Sequence, residues 1–123
     1  MNETAKHIIW DQVSNEQLNP LLERRFLNTG NLTLARVHLR EGCVVPRHNH
    51  IHEQITYVTE GALKVVFPDK TVIVRAGEVI CIPSNLPHEA VALENTRVID
   101  IFTPARQDWA SRDDAYLRSA EKA

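Results

Sequence analysis

Short runs of β-branched and apolar residues, separated by turn signals, fill the chain from residue 20 to residue 103. That rhythm limits the available folds more than any other feature, and it predicts an all-β sandwich or barrel. Leu32, Leu34, Arg36, His38 and Arg40 share one face of a strand, with Thr33, Ala35, Val37 and Leu39 on the other, because strand side chains alternate with period two. Further strands are expected at about 54–59, 62–67, 71–75, 78–82, 88–93 and 97–102. Phe67-Pro68-Asp69-Lys70 and Ala76-Gly77-Glu78 read as turns between them. The expected organisation is a lead-in over 1–19, a barrel over 20–104 and a tail over 105–123. Residues 11–19 read as short helical or irregular structure. Residues 107–119 lack Gly and Pro and place Trp109, Tyr116 and Leu117 at roughly helical spacing, which predicts a short C-terminal helix on the barrel's outside or against a partner subunit.

A chain of 123 residues suits one domain and buries roughly two-thirds of its unfolded surface, enough for a core. The formal net charge of -2, with basic residues in small groups beside acidic ones, gives no reason to expect nucleic acid or an anionic membrane as partner. No run approaches the ~18 apolar residues that would span a bilayer, and the polar start resembles no signal peptide, so a cytoplasmic location is expected. Cys43 and Cys81 are too few and too far apart for a disulfide framework or a zinc pair, and read as small buried hydrophobes.

The chemistry concentrates in two segments. In Gly42-Cys-Val-Val-Pro-Arg-His48-Asn-His50-Ile-His52-Glu53-Gln54, closed by Gly61, the two histidines point to one side of a strand. Gln54 has the same parity if the strand continues, and Glu53 the opposite, which makes Glu53 the weaker ligand candidate. A bulge or turn near Ile51 would overturn that choice. In Gly77-Glu-Val-Ile-Cys-Ile-Pro83-Ser-Asn85-Leu-Pro87-His88, the prolines reverse the chain and His88 opens the next strand. Three imidazoles and an oxygen donor would leave open positions on one divalent ion, as a catalytic metal site requires. His7, His38 and His52 read as ordinary surface or core histidines. Asp100 lies among apolar residues and shares a face with Val98 and Phe102. A buried acid is costly unless paired, so it is either the partner of Arg106 or Arg97, or a functional acid of raised pKa.

These segments resemble the two motifs of the cupin superfamily, which implies a jelly-roll-like β-barrel. Gln54 stands where Glu is usual, Asn85 where Gly is usual and Ala92 where Asn is usual; Asn tolerates a left-handed backbone. Gln54 in place of a carboxylate leaves the ion's charge undiminished, which favours Lewis-acid over redox chemistry. Nickel, zinc, manganese and iron all suit the donor set.

The stretch from His48 to Arg106, with His-Asn-His-Ile-His-Glu-Gln-Ile-Thr-Tyr-Val and Asp-Ile-Phe-Thr-Pro-Ala-Arg as its most specific parts, resembles the KdgF family, cupins of pectin and alginate degradation that linearise 4,5-unsaturated uronates. The resemblance implies metal ligation by His48, His50, Gln54 and His88, and catalysis by Asp100 and Arg106. It also implies a pocket lined by Phe102 and a basic substrate contact at Arg24. Asp100 would shuttle a proton during ring opening and ketonisation, and Arg106 would grip the substrate carboxylate through a forked hydrogen bond. The expected product is an isomerase- or lyase-type enzyme of uronate metabolism acting on a small molecule. Alternatives are a metal-dependent dioxygenase, another isomerase or cyclase on an enolisable substrate, and a non-catalytic small-molecule-binding cupin. Cupins commonly pair as two-fold dimers, so a homodimer is expected.

Overall fold

The computed structural model describes residues 4–118. Residues 1–3 of the expected lead-in and 119–123 of the expected tail lie outside them. Ten strands form among the described residues: β1 (Glu16–Asn19), β2 (Leu22–Asn28), β3 (Thr33–Leu39), β4 (Val44–His48), β5 (Glu53–Glu60), β6 (Ala62–Val66), β7 (Thr71–Arg75), β8 (Val79–Ile82), β9 (His88–Ala92) and β10 (Thr96–Thr103). They build two antiparallel sheets, one ordered β1-β2-β3-β10-β5-β8 and the other β4-β9-β6-β7. The two sheets enclose the core, the jelly-roll-like barrel expected of the sequence.

Period-two alternation decides which residues face inward. On β10, Thr96, Val98, Asp100 and Phe102 are buried while Arg97, Ile101 and Thr103 are exposed. On β3, Thr33, Ala35 and Leu39 point into the core, as the alternation predicts. Each fully buried Val, Leu or Phe contributes about 1.5–3 kcal/mol relative to leaving it in water. β10 runs between β3 and β5, so Asp100 sits opposite Ala35 on one side and Thr56 on the other.

Gly61 links β5 to β6 at φ +88, and a Cβ there would meet the Asn95 carbonyl oxygen at 2.3 Å and Thr96 Oγ1 at 2.6 Å. Only a residue without a side chain fits that close approach.

Three expectations change. The sheet begins earlier than residue 20, because Glu16–Asn19 pairs with β2. Cys43 is buried as expected, but Cys81 faces outward on β8 and is exposed, its parity placing it opposite Ile82. The short C-terminal helix is present as expected, but it spans a single turn, α1 (Gln107–Ala110), followed by a left-handed Arg112 (φ 62) and a 3-10 turn at Ala115–Leu117. The tail does not lie on the outside. Trp109 and Leu117 join the core, and the amide of Asn19 donates to the Leu117 carbonyl at 2.9 Å. Burying those apolar side chains draws the tail inward across one end of the barrel.

Candidate metal centre

β4 ends at His48, and the chain bends at Ile51 and His52. Gln54 therefore belongs to a second strand, β5, rather than to a continuation of the first. The turn near Ile51 is present, yet it does not exchange the roles of Glu53 and Gln54. On β5, Gln54, Thr56 and Val58 face inward and Glu53 is exposed. The antiparallel pairing of β4 with β9 sets His48 directly opposite His88. Residues 49–52 bring His50 back over both. That loop is fastened from the second segment: the Asn85 amide donates to the His50 carbonyl at 2.7 Å, and Ser84 Oγ donates to the Ile51 carbonyl at 2.6 Å. Asn85 adopts φ 63, the left-handed conformation its motif position requires.

The ring centres of His48 and His88 lie 4.4 Å apart, those of His50 and His88 5.1 Å, and the candidate ligand atoms of all three lie within 4.8 Å of one another. In each ring Nδ1 donates to a backbone carbonyl. His48 reaches Pro46 at 2.8 Å, His50 reaches His52 at 3.0 Å and His88 reaches Leu86 at 2.8 Å. A carbonyl only accepts, so Nδ1 carries the proton and Nε2 keeps its lone pair free. The buried Nε2 of His50 has no hydrogen-bond partner among the described residues. Burial lowers the pKa of all three, to about 4 at His48 and about 3 at His50, with the Arg106 charge and neighbouring imidazoles adding to the effect at His50. Neutral, oriented imidazoles with converging lone pairs fit a divalent metal ion.

Behind Gln54 a hydrogen-bonded relay runs into the core. Gln54 Nε2 donates to Thr56 Oγ1 at 2.9 Å, and Thr56 Oγ1 donates to Asp100 Oδ1 at 2.5 Å. This commits the amide nitrogen and leaves the Gln54 carbonyl oxygen as the group able to face an ion. Asp100 pairs with neither expected cation: Arg97 bridges Glu60 at 3.2 Å and Arg106 bridges Asp108 at 2.7 Å. Burial pushes the Asp100 carboxyl up to about 6, against the opposing pull of the Thr56 hydrogen bond and the Arg106 charge. Thr56 escaped sequence reading, although its parity with Gln54, two residues on, places it on the same face.

Phe102 and Arg106 line the same cavity, and Arg106 lies over the Phe102 ring with its guanidinium carbon 4.7 Å from the centre. The forked edge of Arg106 is already engaged. Asp108 accepts from Nε at 2.9 Å and from Nη2 at 2.7 Å, and the Tyr116 hydroxyl accepts from Nη2 at 2.9 Å. Burial works against the Asp108 charge, but the Arg106 guanidinium holds its pKa below the usual value. The Tyr116 ring lies 4.6 Å from that of His48, so the tail forms part of the site. Arg24 also lines the cavity from β2. Its Nε donates to Glu16 at 3.0 Å and its Nη2 to Asp114 at 2.6 Å. His52, read as an ordinary histidine, is buried beside His50 at 5.3 Å between ring centres. The cavity measures about 80 Å³.

A family model for the cupin domain matches residues 35–102. The chain is a cupin. The cupin is 32% identical over 107 residues to the pectin degradation protein KdgF of Dickeya dadantii, covering 85% of this chain and 97% of that relative. The KdgF structure from a Halomonas species superposes with a TM-score of 0.78 at 32% identity, covering 85% of this cupin and 99% of that chain. An RmlC-like cupin from Shewanella frigidimarina gives 0.79 at 27% identity, covering 89% and 99%. The resemblance read from the two motifs and from the segment around Asp100 is thereby borne out. Among the described residues no helix is long and apolar enough to cross a membrane.

Proposed function

We propose that this cupin linearises 4,5-unsaturated uronates, opening the sugar ring and ketonising the resulting enol. One observation carries the reading: a buried acid of raised pKa, Asp100, is joined through Thr56 to Gln54 at the wall of a cavity that is also lined by two arginines and by His48 and His88, two of the three converging imidazoles. The relation to KdgF, a pectin degradation protein, supports the substrate class.

His48, His50 and His88, with the Gln54 carbonyl oxygen, would hold one divalent ion. When bound, the ion supplies Lewis-acid polarisation of substrate oxygens. Asp100 accepts the proton of the anomeric hydroxyl as the bond between C1 and the ring oxygen breaks, giving an aldehyde at C1 and an enolate at C5. The same proton then goes from Asp100 to C4 as the enolate becomes a ketone, so the reaction is a balanced isomerisation. A carboxyl of pKa near 6 suits both roles, because it neither holds nor sheds its proton too firmly at neutral pH. Thr56 fixes the Asp100 oxygen that receives its hydroxyl and leaves the other for the substrate. Phe102 packs on the ring. Arg106 contributes charge at the wall, with Asp108 competing for its fork.

The compartment proposed is the cytoplasm, in keeping with two cysteines that are both unpaired. A homodimer is proposed through the outer face of the six-stranded sheet. There Leu34, Ile101 and Ile55 form a cross-strand row, each more than a third exposed. An Ile101→Lys chain is expected to sediment as a monomer; a dimer of unchanged strength would place the contact elsewhere.

The activity is tested by following the ultraviolet absorbance of an unsaturated galacturonate monomer with metal-loaded protein. The conjugated absorbance is expected to fall, without oxygen uptake. Persistence of the absorbance under metal-replete conditions contradicts the proposal, and oxygen uptake by iron-loaded protein would favour a dioxygenase.

A further inference from the structure

We infer that Arg24 Nη1 and Trp109 Nε1 form a carboxylate-binding subsite at the tail end of the cavity. Arg24 is 1% exposed and Trp109 5%. Both line the cavity that His48 and His88 also line. Both carry a buried donor nitrogen with no hydrogen-bond partner among the described residues: Nη1 of Arg24 and Nε1 of Trp109. Buried polar groups are nearly always paired, so two donors on touching side chains that are orphaned among the described residues call for an acceptor from outside them. They do touch. The Arg24 guanidinium carbon lies 4.2 Å from the centre of the indole, and that of Arg106 lies 4.5 Å from it. Trp109 is thus the platform for both cavity cations, with Phe26 and Phe102 edge-on to it at 5.4 Å and 5.1 Å.

The surrounding charges select an anion. Arg24 and Arg118 face Glu16 and Asp114, and Arg106 faces Asp108, so these clusters are balanced within themselves. A divalent ion on the three neutral imidazoles adds two positive charges, and Asp100 offsets at most one. A monoanion entering the cavity therefore meets net positive charge. A carboxylate has two oxygens, one for a guanidinium N–H and one for an indole N–H, and a planar shape that lies beside the Arg24–Trp109 stack. The fork of Arg106 is held by Asp108, which leaves this pair as the better-placed anchor. The subsite deepens the uronate reading and rests on it for the identity of the ligand, though its chemistry requires only a small carboxylate.

The test uses the zinc-loaded full chain and two non-reacting sugars, D-galacturonate and D-galactose, which lacks the carboxylate. Trp10 and Trp109 give two indole N–H signals in a proton–nitrogen correlation spectrum, and Trp109→Phe identifies the second. Galacturonate is expected to move the Trp109 signal downfield and galactose at equal concentration to leave it in place. Trp109→Phe, which keeps an aromatic platform and deletes the donor, is expected to weaken galacturonate about tenfold. Arg24→Lys is expected to weaken it more where it folds; the indole variant suffices where it does not. With a substrate in hand, the Trp109→Phe loss is carried by KM rather than kcat, as for a contact made equally before and during reaction. An unmoved Trp109 signal, an equal response to both sugars, or undiminished galacturonate affinity in Trp109→Phe overturns the subsite. A carboxylate-dependent shift in a protein that fails to turn over unsaturated uronates retains the subsite and removes only the proposed activity.

Discussion

Asp100→Asn is expected to make the metal-free protein more stable and the enzyme inactive. Asp100 is 8% exposed and has no cationic partner among the described residues, so its ionised form is costly, and burial raises its pKa from 3.8 to about 6. At 1.36 kcal/mol per pH unit, that displacement corresponds to about 3 kcal/mol of strain in the ionised native state. The native pKa lies above the unfolded one, so the folded chain holds the proton more tightly. This contribution favours folding below pH 3.8 and is lost as the pH rises through about 6. Asparagine cannot ionise and can still accept the Thr56 hydrogen bond. Urea unfolding of chelator-treated protein should show the variant about 2–3 kcal/mol more stable than the parent at pH 8, with the gap closing towards pH 4. Histidine titrations are common to both chains and cancel in the difference. Turnover should fall by about 10²–10⁴, the usual worth of a positioned general acid–base. A variant less stable than the parent at pH 8, or a difference that stays flat between pH 4 and pH 8, would refute the reasoning.

Gly61→Ala places a Cβ 2.3 Å from the Asn95 carbonyl at a positive φ, and should destabilise by on the order of 3 kcal/mol in urea titration. Gln54→Glu adds a negative charge beside the ion and, through Thr56, beside Asp100. Metal affinity by calorimetry should rise by about tenfold while kcat falls, since the ion becomes a weaker Lewis acid. Thiol titration should find Cys81 reactive in the native protein. Cys43, whose thiol burial pushes up to about 11, should react only after unfolding.

The strands between residues 53 and 103 were legible because apolar and polar residues alternate cleanly there, and the observed boundaries fall within two residues of those expected. β2 was not, because Glu23, Arg24 and Arg25 read as a charged patch. Arg24 points inward because Glu16, its partner on the neighbouring β1, and Asp114, from a distant part of the chain, neutralise it. The histidine positions followed from motif spacing, and Gln54 kept its inward parity although the strand beneath that reasoning is broken. The tail shows where local pattern stops being informative. Trp109, Tyr116 and Leu117 have the spacing of a helix face, but Asp114 is drawn to Arg24 and the apolar side chains to the barrel's open end. Those are tertiary demands that no window of sequence encodes. The relay through Thr56 and the engagement of Arg106 by Asp108 likewise depend on which strands become neighbours.

Anomalous diffraction from crystals grown with a divalent metal tests the centre most directly. One peak per chain should lie about 2.0–2.2 Å from Nε2 of His48, His50 and His88 and from the Gln54 carbonyl oxygen. Crystals showing no peak at that point under metal excess, or an ion held by other side chains, would contradict the account.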